Sequence, residues 1–448
     1  MFRANAATSA VTSIPALRLA FRSALRPAFF ATAAALMVGC AADGGGDATE
    51  GGGVATGAVA YEGARVIAGD GSVIESGVFV VEAGQFAAVG ASGEVEVPGG
   101  AQRVDLSGKT VMPAIVNAHL HLSSERDERI EQLQHMAYYG AGAVVSLGTE
   151  TGGIGIEMRD EVIPDAARAK TADRGITTAE PGRSDAPYWI ATEEEGRAAV
   201  RELAERQADI VKIWVDNRGG RYEQLSSELY GAIIDEAHRH GLMVTAHIFY
   251  LEDAKELLRA GVDVFAHGVR DLDADDELME LWAERPEVVL VPNLPGPGVA
   301  LDLSWLSGTV PADRLVEMQA ASVDNPGAQE FFGIQARNLA RFAEAGIRIS
   351  FGTDGNAAWA VHQEMEDMVR AGLSPGDVIV AATKTSADLM NWDDLGEIAA
   401  GKSADFIVLD ANPLDDITNT RRIDAVYLRG DMVDREGISA RLLAAGTE

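Results

Sequence analysis

The stretch Val111-Met112-Pro113-Ala114-Ile115-Val116-Asn117-Ala118-His119-Leu120-His121-Leu122 decides how the rest of the chain is read. A short apolar run ends in two histidines one residue apart. On a β-strand, side chains two apart point to the same side, so both imidazoles can face one ion while Leu120 packs the other way. The spacing is that of metal ligands, but two histidines on an exposed polar strand would look the same, so their meaning depends on partners elsewhere.

The whole chain narrows the field. With 448 residues it can bury one large domain and a smaller companion. A hydrophobic share of 47% excludes disorder as the main state, and a net charge of −32 would repel phosphates, which excludes nucleic acid as a partner. The acidity serves solubility. Cys40 is the only cysteine, so no intramolecular disulfide and no cysteine zinc site can form. Any bound metal must use histidine, carboxylate or a modified lysine.

Residues 1–40 read as an export signal: Arg3, Arg18, Arg22 and Arg26 precede the apolar run 28–38, which is too short to span a bilayer. The run ends in Leu36-Met37-Val38-Gly39-Cys40, which resembles a bacterial lipoprotein signal. The expectation is an exported, periplasmic or cell-surface protein, lipid-anchored through Cys40, with a plainly cleaved signal as the alternative. Residues 41–57 then form a Gly-rich tether. Membrane contact is expected only through that anchor, and oligomeric state is left open.

From 58 to 112 the chain shows short alternating apolar pieces broken by glycine turns, and the same texture returns over 396–448. These two ends predict one small β-sandwich. The middle, 113–395, alternates apolar runs with helical periodicity, the pattern of parallel βα units. Eight strands are expected, at 111–117, 143–147, 168–176, 210–215, 242–246, 262–266, 288–291 and 347–351, the third lacking a clean apolar core. Eight such units favour an α/β fold of the (β/α)8 TIM-barrel type over an open sheet, and the chain has no Gly-rich phosphate loop to support the latter. The Gly- and Pro-rich insertion at 293–325, with a short helix at 311–321, is long enough to cover a substrate or to lie on the surface.

Barrel active sites are built at the C-terminal ends of the strands. There the first strand delivers His119 and His121, the fourth Lys212, the fifth His247, the sixth His267 and the eighth Asp354. Each alone has an ordinary structural reading; together they converge. In Ile210-Val211-Lys212-Ile213-Trp214-Val215, alternation turns Lys212 away from its apolar neighbours and into the interior, where an unpaired ammonium is costly. Reaction of its amine with CO2 would give an anionic carbamate able to bridge two metal ions.

These residues resemble the amidohydrolase superfamily, in particular its prolidase-like and imidazolonepropionase-related branch. The resemblance is carried by 113–121, Val211-Lys212-Ile213, Val244-Thr245-Ala246-His247, 261–268, Gly352-Thr353-Asp354, 382–387, Gly396-Glu397-Ile398 and 401–405. It implies two divalent metal ions, zinc first, with His119 and His121 on one, His247 and His267 on the other, and carboxylated Lys212 between them. Asp354 would bind the first ion and shuttle protons, and a metal-bridging hydroxide would hydrolyse an amide, cyclic amide or dipeptide bond of a small-molecule substrate.

The chain departs from the family at Ala114 and Asn117, where Gly and Asp are usual, and at Phe249, where several relatives have tyrosine; Tyr250 stands next to it. Tyr250, Asn217, Arg218 and Arg221 are candidates for substrate contact, the arginines for a carboxylate. His362 is expected to pack rather than ligate, and His135, His238 and His240 to lie on helix surfaces or ends. Two other readings compete: a deaminase or other hydrolase of ring C–N bonds, disfavoured because glutamate is typical where Tyr250 stands, and a non-catalytic ligand-binding lipoprotein on the same fold.

Overall fold

The computed structural model describes residues 57–445; the expected signal, Cys40 and nearly all of the tether lie outside the described residues. Both chain ends meet in one eight-stranded sheet. Its order runs Asp431–Met432, Ile423–Leu428, Phe406–Leu409, Thr110–Pro113, Val59–Ile67, Val73–Glu82, Gln85–Ala91, and Gln102–Asp105 also pairs with Val59–Ile67. The chemical reason is an aromatic core: Tyr61 and Phe79 from one end meet Phe406 from the other edge-on, at 5.3 and 5.2 Å, so rings from both ends bury each other. Ala58, Ala60 and Val80 form a second, smaller apolar cluster.

The middle of the chain forms parallel strands in two arcs. Ile115–Leu120, Ala141–Ser146 and Arg168–Thr171 make the first. Tyr188–Trp189, Ile176–Thr177, Val211–Val215, Val244–Ile248, Val264–Ala266, Val289–Val291 and Arg348–Ile349, in that order, make the second. Hydrogen bonds link the arcs at both margins: Ala118 N to Phe351 O at 2.8 Å on one side, and Asp209 N to Thr171 O at 2.9 Å on the other. Helices lie between most strands. Ser227–Arg239 shows why they start where they do: Ser226 accepts the Leu229 N–H, and Gly241 in the left-handed region follows its end.

Two expected strands are redrawn. The run 111–117 is not one strand: Thr110–Pro113 belongs to the end sheet, and Ile115–Leu120 to the parallel arc. Ala114 is the corner, with its N–H bonded to Asp405 O and the Ile115 N–H to Gly140 O, both at 2.9 Å. The run 168–176 also breaks, because Asp173 takes a left-handed conformation (φ 51°); Arg168–Thr171 stays in the first arc and Ile176–Thr177 joins the second. The insertion contains a helix at Ala312–Ala321 and a 3-10 turn at Ser304–Gly308.

Candidate metal centre

Strand geometry alone would not aim the histidine pair correctly. Val116 and Ala118 point into the apolar cluster between the strands, so strict alternation would turn His119 outward. A register shift between Asn117 and Leu120 reverses the alternation, and both His119 and His121 come to face Asp354. Asn117 supports the shift: its Oδ1 accepts the N–H groups of His119 and Thr353, each at 3.2 Å, while its Nδ2 donates to Thr353 Oγ1 at 2.9 Å. An aspartate could accept but not donate here.

Asp354 Oδ1 lies 3.2 Å from His119 Nε2 and 3.1 Å from His121 Nε2, and Oδ2 lies 3.7 Å from His267 Nε2. Donor atoms of His119, His267 and Asp354 all fall within 4.8 Å of one another. The rings of His247 and His267 are 4.5 Å apart, those of His119 and His267 5.2 Å. Lys212 is fully buried, its Nζ 5.5 Å from the centre of the Trp214 ring. The structure therefore brings together the imidazoles and Asp354, and encloses Lys212 as alternation predicts.

The unused atoms of these residues fit a cation. Two donors held by one tetrahedral ion at about 2.0–2.1 Å lie about 3.3 Å apart, which is the His119–Asp354 and His121–Asp354 spacing. His119 Nε2, His267 Nε2 and Lys212 Nζ are buried and make no hydrogen bond among the described residues. Burial keeps three of the imidazoles neutral, pushing His119 and His247 down to about 3 and His267 well below its usual range. Burial likewise pushes the Lys212 amine down to about 7; Asp354 pulls it up, and Arg218 and Arg270 push it down again. Burial would raise Asp354, but His119, His121 and His267 outweigh it and hold the carboxyl well below the usual carboxylate range.

The centre is held under backbone strain. Arg218, His267, Asn293 and Asp354 all have positive φ although none is glycine, a cost that functional sites tolerate where packing enforces it. Gly352 is required by contact: a Cβ there would lie 2.6 Å from Val291 Cγ1 and 2.8 Å from His119 Cβ.

The expected substrate residues separate. Arg218 reaches inward, its Nη1 3.0 Å from His247 Nε2 and 2.8 Å from Asp216 Oδ2, while Nε meets Glu180 Oε1 at 3.2 Å. Tyr250 donates to Asn217 Oδ1 at 2.9 Å, so these two bind each other, and Arg221 is exposed over the Tyr222 ring. His362 is buried, with Nδ1 3.1 Å from Thr420 Oγ1, a packing role as expected. His238 and His240 are exposed, but His135 is half-buried beside Tyr139, and burial pushes it down to about 4; its helix packs against the protein on that side.

Sequence reasoning missed four supporting residues. Asn293 lies 2.7 Å from His119 Nδ1, Arg270 2.5 Å from His267 Nδ1 and Thr149 3.2 Å from His121 Nδ1. Asp216 lies 3.2 Å from His247 Nε2. Burial would raise Asp216, but the neighbouring His247 ring and the Arg218 N–H hold it at about 2. Its signal was present: Lys212, Trp214 and Asp216 share one face by period-two alternation.

Residues 110–433 match the Amidohydrolase family. The chain belongs to that family and is a hydrolase acting on carbon–nitrogen bonds. Among its relatives is the imidazolonepropionase of Geobacillus sp. (strain WCH70), 24% identical over 378 residues, 75% of this chain and 84% of that protein. The crystal structure of a putative prolidase from Bifidobacterium longum superposes with a TM-score of 0.71 and 26% identity, covering 88% of this chain and all of the other. A Xaa-Pro dipeptidase with bound methionine in the active site matches in fold, with a TM-score of 0.67, 23% identity, and 84% and 99% of the two chains covered.

Proposed function

We propose that the chain is a metal-dependent amidohydrolase that cleaves an amide, cyclic amide or dipeptide bond of a small-molecule substrate outside the cytoplasm. One observation carries this reading: His119 Nε2, His267 Nε2 and Lys212 Nζ converge near Asp354, buried and without hydrogen bonds among the described residues. Buried polar atoms without hydrogen bonds are costly, and a cation would recover that cost. His119, His121 and Asp354 would hold a first divalent ion and His247 and His267 a second, with carboxylated Lys212 between them. Imidazole and carboxylate donors without thiolate favour zinc. Bound there, such ions would supply a water of lowered pKa and polarise the scissile carbonyl.

The residues supply the rest. With its amine near 7, Lys212 is substantially neutral at neutral pH, and its lone pair can bond to the carbon of CO2 with release of one proton, leaving a two-oxygen carbamate. Asp354, held anionic, accepts a proton from the attacking water and delivers it to the departing nitrogen as the C–N bond breaks, giving an acid and an amine.

The linked strand arcs support a closed (β/α)8 barrel over 113–395, and the sheet shared by 58–112 and 396–448 supports a companion sandwich. The arginines and Cys40 of the leader support export and lipid anchoring. Protein stripped of metal and reloaded with zinc should release amine from members of dipeptide and N-acyl amino acid libraries. Turnover unchanged in His119→Ala and Asp354→Ala would end this reading, and Cys40→Ala should release the protein from membranes.

A further inference from the structure

The two histidine pairs are supported in opposite ways. His121 Nδ1 faces the Thr149 hydroxyl, which can accept its proton. His119 Nδ1 faces the Asn293 amide, whose Oδ1 has no partner among the described residues; turned by half a rotation, that amide accepts the Nδ1 proton too. Both rings can therefore keep their proton on Nδ1 and offer the Nε2 lone pair to an ion. The other pair meets guanidinium groups, which only donate. Arg270 donates to His267 Nδ1, which places that ring's proton on Nε2, and Arg218 occupies His247 Nε2.

Arg218 is firmly tied. Asp216 Oδ2 and Glu180 Oε1 hold it at 2.8 and 3.2 Å, on a left-handed backbone with φ 55°. Asp216 itself is a buried carboxylate that the six-ligand arrangement leaves out. Its Oδ2 stands 3.2 Å from His247 Nε2, again the spacing of two donors on one ion.

We propose that Asp216 is a ligand of the second cation position and that Arg218 and a divalent ion compete for it, so that the centre loads in two unequal steps. This rests on the reading of the centre given above. The first ion, at His119, His121 and Asp354, displaces no cation. The second must displace Arg218 from Asp216 and His247, and Arg270 from His267 Nδ1, so that the ring proton can pass from Nε2 to Nδ1 through solvent. Glu180 remains to hold the displaced Arg218 guanidinium.

The test is calorimetric titration of the metal-stripped full chain with Mn(II), followed in parallel by electron paramagnetic resonance, in which two adjacent Mn(II) ions give a coupled signal and one does not. Wild type should bind one equivalent tightly and uncoupled, and a second at least tenfold more weakly, with coupling appearing only then. Arg218→Ala should tighten the second step tenfold or more and leave the first unchanged; Asp216→Asn should weaken the second step alone. Should Arg218→Ala not fold, Arg218→Gln is read by the same criteria. Two equal, coupled equivalents in wild type, or a second step indifferent to both substitutions, would overturn the proposal while leaving the hydrolase reading intact. Failure of wild type to bind any Mn(II) or Zn(II) would instead bring down the hydrolase reading.

Discussion

The two ends of the parallel strands treat polar side chains in opposite ways. At the N-terminal end, Asp209 accepts the Thr171 N–H at 2.9 Å and Asp263 the Val244 N–H at 2.7 Å, while their own N–H groups donate back to the Thr171 and Val244 carbonyls. Arg159 then pairs with Asp209, His238 with Asp263, and Lys170 donates to Met390 O. Every one of these groups is completed by the chain. At the C-terminal end, His119, His267 and Lys212 bury nitrogens that the described residues do not complete. The first end holds the fold together, and the second keeps open the nitrogens that the proposed cations would complete.

Substitutions can break or sharpen that contrast. The largest effect is expected at Asp354→Asn, where loss of the proposed proton carrier should lower kcat/KM about 10³-fold with the thermal midpoint nearly unchanged; a variant retaining a tenth of wild-type activity would refute the proposed role. Lys212→Met comes next: metal affinity should fall at least tenfold, yet in the presence of a chelator the variant should melt no lower than wild type, because it removes a buried amine that makes no hydrogen bond among the described residues. Asp263→Ala should do the reverse, costing about 1–3 kcal/mol in urea unfolding through the orphaned Val244 N–H while leaving kcat/KM per folded molecule within about twofold.

The smallest signal is a pH slope. Asp367, buried on the helix Ala360–Arg370, is pushed up by burial to about 7, against a usual value of about 4. Between those values the native state holds a proton on Asp367 that the unfolded chain has released, so the contribution of Asp367 to stability falls as pH rises from about 4 through 7. Asp367→Asn removes that contribution, so its denaturant midpoint should gain on the wild type's as pH rises across the range.

The convergence of these side chains was legible because strand-end position and, for Lys212, period-two alternation are properties of the chain read locally. Lys212 faces inward as that alternation requires, and His119, His121, His247, His267 and Asp354 meet at one mouth. The corner at Ala114 and the break at Asp173 were not legible, since each is set by a distant partner: Asp405 O for the former, and for the latter a buried carboxylate whose Oδ2 pairs with Arg206. The register shift that re-aims His119 depends on Asn117 meeting Thr353, 236 residues away. Arg270 and Asn293 escaped because an arginine three residues past a strand-end histidine, or an asparagine after a strand, is ordinary until its ring-nitrogen neighbour is known.

The one-residue corner at Ala114 has a mechanical meaning. The backbone passes from a strand clamped by Phe406–Leu409 into the strand that ends in His119 and His121, with no loop between them to absorb movement. The C-terminal segment thus acts as the fixed mount of a short lever whose far tip is the histidine pair. Cutting the chain before residue 396 should disturb those two imidazoles before it disturbs Lys212 or His247, which hang from strands that the mount does not touch.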